Sequence, residues 1–447
     1  MKKKILIIYE NINREYDNCL LLKAELERRG YTVVLKYKTE SICIVQDADL
    51  VITPNCYNIE NERYYRYLFA GNKCPLLSLQ YEQIFTKETE VKRLCYPDNS
   101  MINVYFATWG EIYYNKLLQH NINPVAVRVT GSIGLDFCRP EFRCFYLDKE
   151  GIGQKYNLNV NKKWMLFISS LTLFPGSPYY RHLRIDIKDK EYLTERSNLE
   201  TKTQEKILEW FDEFLISNND YIIIYRRHPV EEQTEKFKSL LKKYPKSFVD
   251  ITDMSVKQWI SVCDYCYNWF STASIEANEF GKPTQLLRPY QISEERDYSF
   301  LINSSKCCTY DDFLNSIQMN DIGNIDRSSY INNFSIVDTP AYYRICNFVD
   351  SIINSNNQNG FQFEKLFGLN RVKFCLRRLF IFKLFIKKLY QFTYGKLNIA
   401  IKSNKIRSKY CVTQLEYSVK FHNDSINIIK YDKIKDIVHK LSSQMTL

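Results

Sequence analysis

Residues 4–36 read KILIIYENINREYDNCLLLKAELERRGYTVVLK, and this stretch decides the fold. Lys4–Tyr9 is a short apolar run of strand length. Asn18–Arg29 has Leu20, Leu21, Ala24 and Leu26 among its apolar positions, which predicts a helix with Gly30 as its stop signal. Thr32–Lys36 is the next strand and Ala48–Thr53 a third. Pro75–Leu79, Asn103–Thr108 and Val125–Thr130 extend the series, with helical segments between them. Such alternation predicts a parallel, doubly wound sheet. A second set begins at Trp164–Ser169, continues through Tyr221–Tyr225 and Ser247–Asp250, and reaches Pro283–Leu287. Phe142–Lys163 reads as the connector. The expected architecture is α/β, with two doubly wound domains at 1–150 and 151–350 facing a cleft, where ligands bind at the carboxyl ends of the strands.

The chain has 447 residues, 62 Lys+Arg against 51 Asp+Glu, and a formal net charge of +11. Apolar residues make up 45%, which argues against wholesale disorder. Residues 371–410 hold twelve basic side chains and no acidic one; the rest of the chain carries 50 basic residues against 51 acidic ones. A nearly neutral body with one basic segment disfavours a general nucleic-acid binder.

Within that segment Val372, Cys375, Leu379, Phe382, Ile386 and Leu389 recur at spacings of three and four. Lys373, Arg377, Lys383, Lys387 and Lys388 fall elsewhere on the helical wheel, and Arg377, Arg378, Phe382, Lys387 and Lys388 are the candidate membrane contacts. A helix of this kind is too short and too charged to span a bilayer and reads as interfacial. The expectation for 351–447 is a helical basic tail on an anionic membrane surface. The alternatives are packing on the protein's own core or an oligomer contact. The N-terminus lacks the pattern of a signal peptide. Fourteen scattered cysteines are too few for a disulfide scaffold, and Cys263–Cys266 is a lone CxxC without the four ligands zinc requires. The protein is thus expected in the cytoplasm, held peripherally at the inner face of the cell membrane, with no metal or other cofactor.

Three segments carry the candidate chemistry. Arg226-Arg227-His228-Pro229 directly follows the strand DYIIIY. A residue leaving the carboxyl end of a parallel strand reaches the ligand crevice, where histidine can donate a proton near neutral pH and arginine forks can hold phosphate. Ser271-Thr272-Ala273-Ser274-Ile275-Glu276-Ala277 precedes Gly281-Lys282-Pro283. Hydroxyls ahead of a helical run cap it and create an anion site, with Ser271, Thr272 and Ser274 as donors and Glu276 a candidate for a ribose hydroxyl. Ser169-Ser170 leaves the strand WMLFI. Each has a plainer reading, as a capped turn with solvated side chains. In the first half, Glu10 leaves the first strand and is the favoured general base, with Glu82 its rival. Val129-Thr130-Gly131-Ser132-Ile133-Gly134-Leu135-Asp136 has the small residues of a hinge, with Gly131, Ser132 and Asp136 as its marks. Asp47-Ala48-Asp49 precedes a strand and reads as a turn instead of a metal site.

The order of Glu10, V-T-G-x-x-x-x-D, R-x-H-P, S-T-x-S-x-E-A and G-K-P resembles bacterial surface-carbohydrate biosynthesis proteins built on the GT-B glycosyltransferase fold of two Rossmann-like domains. The resemblance covers residues 1–350. The paired HP and Ser/Thr motifs are similar to those of bacterial sialyltransferases, Kdo transferases and CDP-alditol polymerases, with S-T standing here in place of S-S. It implies a cytidine-nucleotide sugar donor and a glycan or glycolipid acceptor. By the same resemblance His228, Ser271 and Thr272 bind the donor phosphate, His228 assists the leaving group, and Glu276 lies near the ribose. A UDP-sugar epimerase of the same architecture and a non-catalytic scaffold of a polysaccharide assembly complex are the competing expectations.

Overall fold

The structure, a computed structural model, describes residues 2–38, 48–65, 74–92, 95–98, 104–175, 177, 180, 190–228, 230–318, 325–355 and 425–445. They form two compact units. One comprises Met1–Phe85, Lys92–Asp136 and Ile331–Leu447; the other comprises Thr86–Val91 and Phe137–Tyr330. The units thus divide at 136/137, directly after the small-residue segment, and the chain returns to the first unit at 331.

The first unit is built on a six-stranded parallel sheet: β1 (Lys4–Tyr9), β2 (Thr32–Tyr37), β3 (Leu50–Thr53), β4 (Leu76–Ser78), β5 (Val104–Thr108) and β6 (Val127–Val129), in the order β2-β1-β3-β4-β5-β6. β1 and β3 are apolar almost throughout because both faces of the sheet are covered. Leu6, Ile8, Val51, Leu76 and Phe106 form its core. The helix Ile12–Arg28 starts six residues earlier than the apolar pattern indicates. Asn11 caps it, accepting from the Arg14 N–H, and the Glu15 carboxylate reaches back to the Glu10 and Asn11 N–H groups. The helix stops at Gly30, whose φ of +96° favours glycine. Asp49 accepts from the Lys4 N–H and pairs with Lys3, which fixes the entry of β1 and accords with the turn reading of that segment.

The second unit has β7 (Lys163–Ile168), β8 (Tyr221–Arg226), β9 (Phe248–Asp250), β10 (Tyr265–Asn268), β11 (Thr284–Leu287) and β12 (Lys306–Cys307), all parallel, in the order β12-β11-β10-β7-β8-β9. Trp210, Phe211 and Phe214 of the long helix Lys190–Ser217 pack with Phe167, Tyr225 and Tyr267. Each such buried aromatic contributes on the order of 2–3 kcal/mol. The segment 142–163 is more than a connector, since it contains the helix Lys149–Tyr156, capped by Asp148.

The C-terminal region departs from the expected separate tail. The helices Ala341–Asn354 and Ser425–Met445 both belong to the first unit and pack against the helix Ile12–Arg28. Ile434, Ile437, Val438 and Leu441 are buried there, Lys430 pairs with Asp17, and Ser442 bonds Glu25. The basic segment itself, including Arg377, Arg378, Phe382, Lys387 and Lys388, lies outside the described residues. Among the described helices none is long and apolar enough to cross a membrane.

Candidate active site

In the second unit the strand order reverses between β7 and β10, because successive crossovers run outward from there in both directions. Ligands of open α/β sheets bind at that point, beyond the carboxyl ends of the strands. Arg226, Ile168 and Asn268 stand in one row across β8, β7 and β10, so the three exits begin at the same level. The exits are bonded to one another. The Ser169 N–H donates to the Arg226 carbonyl at 3.0 Å, and the Ser170 hydroxyl accepts from the Phe270 N–H at 3.1 Å. The Ser169 and Tyr225 hydroxyls lie 3.4 Å apart.

His228 lies two residues beyond β8 and is half-buried. Its Nδ1 accepts from the Val230 N–H at 3.4 Å, so a neutral ring carries its proton on Nε2. Pro229 lies outside the described residues. The two arginines are loop anchors in place of open phosphate forks. Arg227 Nε meets both oxygens of Asp250 at 2.9 and 3.0 Å, and its Nη1 donates to the Glu231 carbonyl. Arg226 donates to the Asp253 and Met254 carbonyls.

The hydroxyl loop after β10 is differentiated residue by residue. Ser271 Oγ accepts from the Ala273 N–H at 3.2 Å and so caps the helix Ala273–Glu279. Ser274 is fully buried and donates back to the Ser271 carbonyl at 2.8 Å, which removes it from the ligand-facing set. Thr272 makes no side-chain capping bond and is exposed. Glu276 is tied to Lys257 at 3.0 Å. Phe270, beside the loop, stacks on Tyr298 with ring centroids 4.4 Å apart.

Two carboxylates that sequence reasoning passed over support these exits. Glu231 Oε1 accepts from the Tyr225 hydroxyl and from Gln204 Nε2, each at 2.8 Å, and Oε2 accepts from the His228 N–H at 3.1 Å. Burial raises the Glu231 carboxyl to about 7. Glu200 accepts from the Thr172 and Leu173 N–H groups and pairs with Arg196, which fixes the loop leaving β7. Glu200 interrupts the buried face of a long helix, falling at helical spacing between Leu193 and Ile207, and a charge at that spacing is the sequence signal that marks it.

In the first unit the order reverses between β1 and β3, and the exits there are Glu10 and Asn55. Glu10 accepts from Asn55 Nδ2 and pairs with Lys38, both at 3.0 Å, with 43% of its side chain exposed. Arg14 binds the buried Glu15 at 2.8 Å and Glu82 at 3.4 Å. The two candidate bases therefore belong to one cluster, linked through the Glu10 N–H, Glu15 and Arg14. Gly131 has a φ of +84° and lies against the Arg344 guanidinium, a place without room for a Cβ. Ser132 is buried, and Asp136 accepts from the Ala341 and Tyr342 N–H groups at 2.8 and 2.7 Å. Asp136 is thus the N-terminal cap of the returning helix Ala341–Asn354, where Pro340 offers none.

No family model matches the chain, and comparison with curated proteins gives no match. Solved structures do match. A candidate UDP-N-acetylglucosamine 2-epimerase from Listeria monocytogenes shares 12% identity, with 80% of this chain and 98% of that one covered and a TM-score of 0.50. MnaA of S. aureus, solved with UDP, shares 14%, with 79% and 97% covered and a TM-score of 0.50. A variant of the wall teichoic acid polymerase TagF shares 9%, with 80% and 90% covered and a TM-score of 0.50. The fold is of the GT-B type. At these identities the likeness speaks to architecture, and the chemistry rests on the residues above.

Proposed function

We propose that this protein is a metal-independent glycosyltransferase that moves a sugar from a nucleotide donor, a cytidine nucleotide being favoured, to a surface-polysaccharide or lipid-linked glycan acceptor. The observation that carries the reading is the bonded junction of the β7, β8 and β10 exits at the reversal point, from which the segments bearing His228, Ser170, Ser271 and Thr272 lead off. UDP in the S. aureus neighbour and polymer synthesis by the teichoic acid polymerase support a nucleotide-linked substrate.

Transfer requires stabilisation of negative charge on the departing phosphate. His228 supplies an Nε2 donor, and the exposed Thr272 hydroxyl supplies a neutral one. Glu10 takes the proton of the acceptor hydroxyl, with Glu82 as rival. The basic segment holds the enzyme at an anionic membrane surface on the cytoplasmic side, where polybasic residues contribute roughly 1 kcal/mol each. An epimerase acting on a soluble UDP-sugar has no use for such a segment and is not favoured. A pure scaffold would leave the His228 junction without a ligand.

Thermal-shift and calorimetric measurements with CMP, CDP, UDP and GDP test the reading. A rise in melting temperature with CMP or CDP alone supports the cytidine donor. A response to UDP alone overturns that donor, and silence with all four favours the scaffold.

A further inference from the structure

We propose that Glu231 is a positioning residue that locks the His228 turn to the Ser169 exit and thereby sets the geometry of the nucleotide site. The inference deepens the reading above and rests on it for the identity of the ligand. The argument starts from burial. Glu231 is 3% exposed, yet its carboxyl group gathers three donors from three different elements: Tyr225 from β8, Gln204 from the long helix, and the His228 N–H from its own turn. The Ser169 hydroxyl at the β7 exit lies 3.4 Å from the Tyr225 hydroxyl, so one carboxylate connects the two strand ends through Tyr225. Thr234 completes the network by donating to Gln204 Oε1 at 3.0 Å, which directs the Gln204 amide nitrogen at Glu231.

Such a cluster does more than fill space. A packing role alone is met by an apolar side chain of the same size at lower desolvation cost. A carboxylate has four acceptor positions for these donors, and a protonated carboxyl keeps three and adds one O–H donor, so either state can accept all three bonds. Burial disfavours the charge, so the neutral acid holds the His228 turn and ionisation favours its opening to water. With burial raising this carboxyl to about 7, the exchange between the two states falls in the neutral range. The other ionisable groups about it are Tyr225 on β8, Glu200 and Arg196 one and two turns before Gln204, His228 and Arg227 in the turn, and Asp250 on β9, which neutralises Arg227. The Arg227 guanidinium reaches the Glu231 main-chain carbonyl.

The test compares wild type with Glu231→Gln and Tyr225→Phe across pH. A glutamine side chain is the isostere of the neutral acid, so the wild type and the Glu231→Gln variant should converge at pH 5.5 and diverge at pH 8. Amide hydrogen exchange over residues 226–231, measured without nucleotide, is expected to be about ten-fold faster in wild type than in Glu231→Gln at pH 8, with the ratio approaching one at pH 5.5. Calorimetric dissociation constants for CMP, CDP and UDP should show the same pH-dependent ratio, and Tyr225→Phe should give an intermediate effect. A ratio independent of pH, or exchange in the Glu231→Gln variant equal to wild type at pH 8, overturns the inference. If wild type binds none of the three nucleotides, the nucleotide reading fails while the exchange ratio still decides the role of Glu231.

Discussion

The two reversal points of this molecule share a topology and differ in chemistry. At β1/β3 the chain exits through Glu10 and Asn55, and the surrounding cluster holds Glu15 and Glu82 against Arg14 and Glu10 against Lys38. At β7/β10 it exits through Ser169, Ser170 and Phe270, joined by hydroxyl and backbone bonds, with carboxylates kept beneath the surface at Glu200 and Glu231. A phosphate arriving at the first would meet two exposed carboxylates. At the second it would meet a half-buried histidine and the exposed Thr272 hydroxyl. The same strand order thus frames a charged cluster at one point and a mostly hydroxyl-lined exit at the other.

Four changes break or sharpen that contrast. His228→Ala should lower transfer by about 10²–10⁴-fold in a product-release assay with the responding nucleotide-sugar donor. Wild-type rates would remove His228 from the mechanism. Glu10→Gln should lower turnover by about 10²-fold while leaving the nucleotide dissociation constant unchanged, as measured by calorimetry. A loss confined to Glu82→Gln would move the base along the cluster.

The third change concerns stability. A buried carboxyl raised to about 7 keeps its proton in the folded state where the unfolded chain has released it. The unfolded state then binds fewer protons, so Glu231 makes stability fall as pH rises from about 4.5 to about 7, with no further change above. Glu231→Gln should flatten that slope by about 3 kcal/mol over the window, read from denaturant unfolding at several pH values. An unchanged slope would place the Glu231 carboxyl in the ordinary range.

The smallest effect separates two neighbouring hydroxyls. Ser271→Ala should cost about 1 kcal/mol of stability as a lost cap, whereas Thr272→Ala should leave stability intact and weaken nucleotide binding a few-fold. Equal behaviour of the two variants would dissolve the distinction between capping and ligand-facing groups.

Much of the fold was legible because buried parallel strands print continuous apolar runs. β1, β7 and β8 are such runs, and each begins within one residue of its expected start. β10 escaped because YCYN mixes aromatic and polar residues, and β12 because two residues leave no periodicity. The helix Ile12–Arg28 was read late because Asn11 and Glu15 look like loop residues until their bonds to the backbone are seen.

The site was legible at its exits and opaque in its supports. The exits of β7, β8 and β10 are bonded through Ser169, Ser170, Arg226 and Phe270, with His228 two residues beyond Arg226 and Ser271 one beyond Phe270. Arg227 showed its charge in the sequence and not its partner Asp250, 23 positions on. Asp136 carried the mark of a hinge, yet its carboxylate caps a helix more than 200 residues later. Pairings of this range are set by topology, and no local pattern announces them.

The return of the chain to the first unit has a consequence for biosynthesis. Translation proceeds from the N-terminus, so β1 to β6 emerge first while the helices Ala341–Asn354 and Ser425–Met445 that cover the helix Ile12–Arg28 emerge last. Nearly all of the second unit is contiguous and has left the ribosome before those helices appear. The half of the protein made first is therefore the half completed last, and until then the apolar face that receives Ile434, Val438 and Leu441 stands uncovered to chaperones and to other nascent chains.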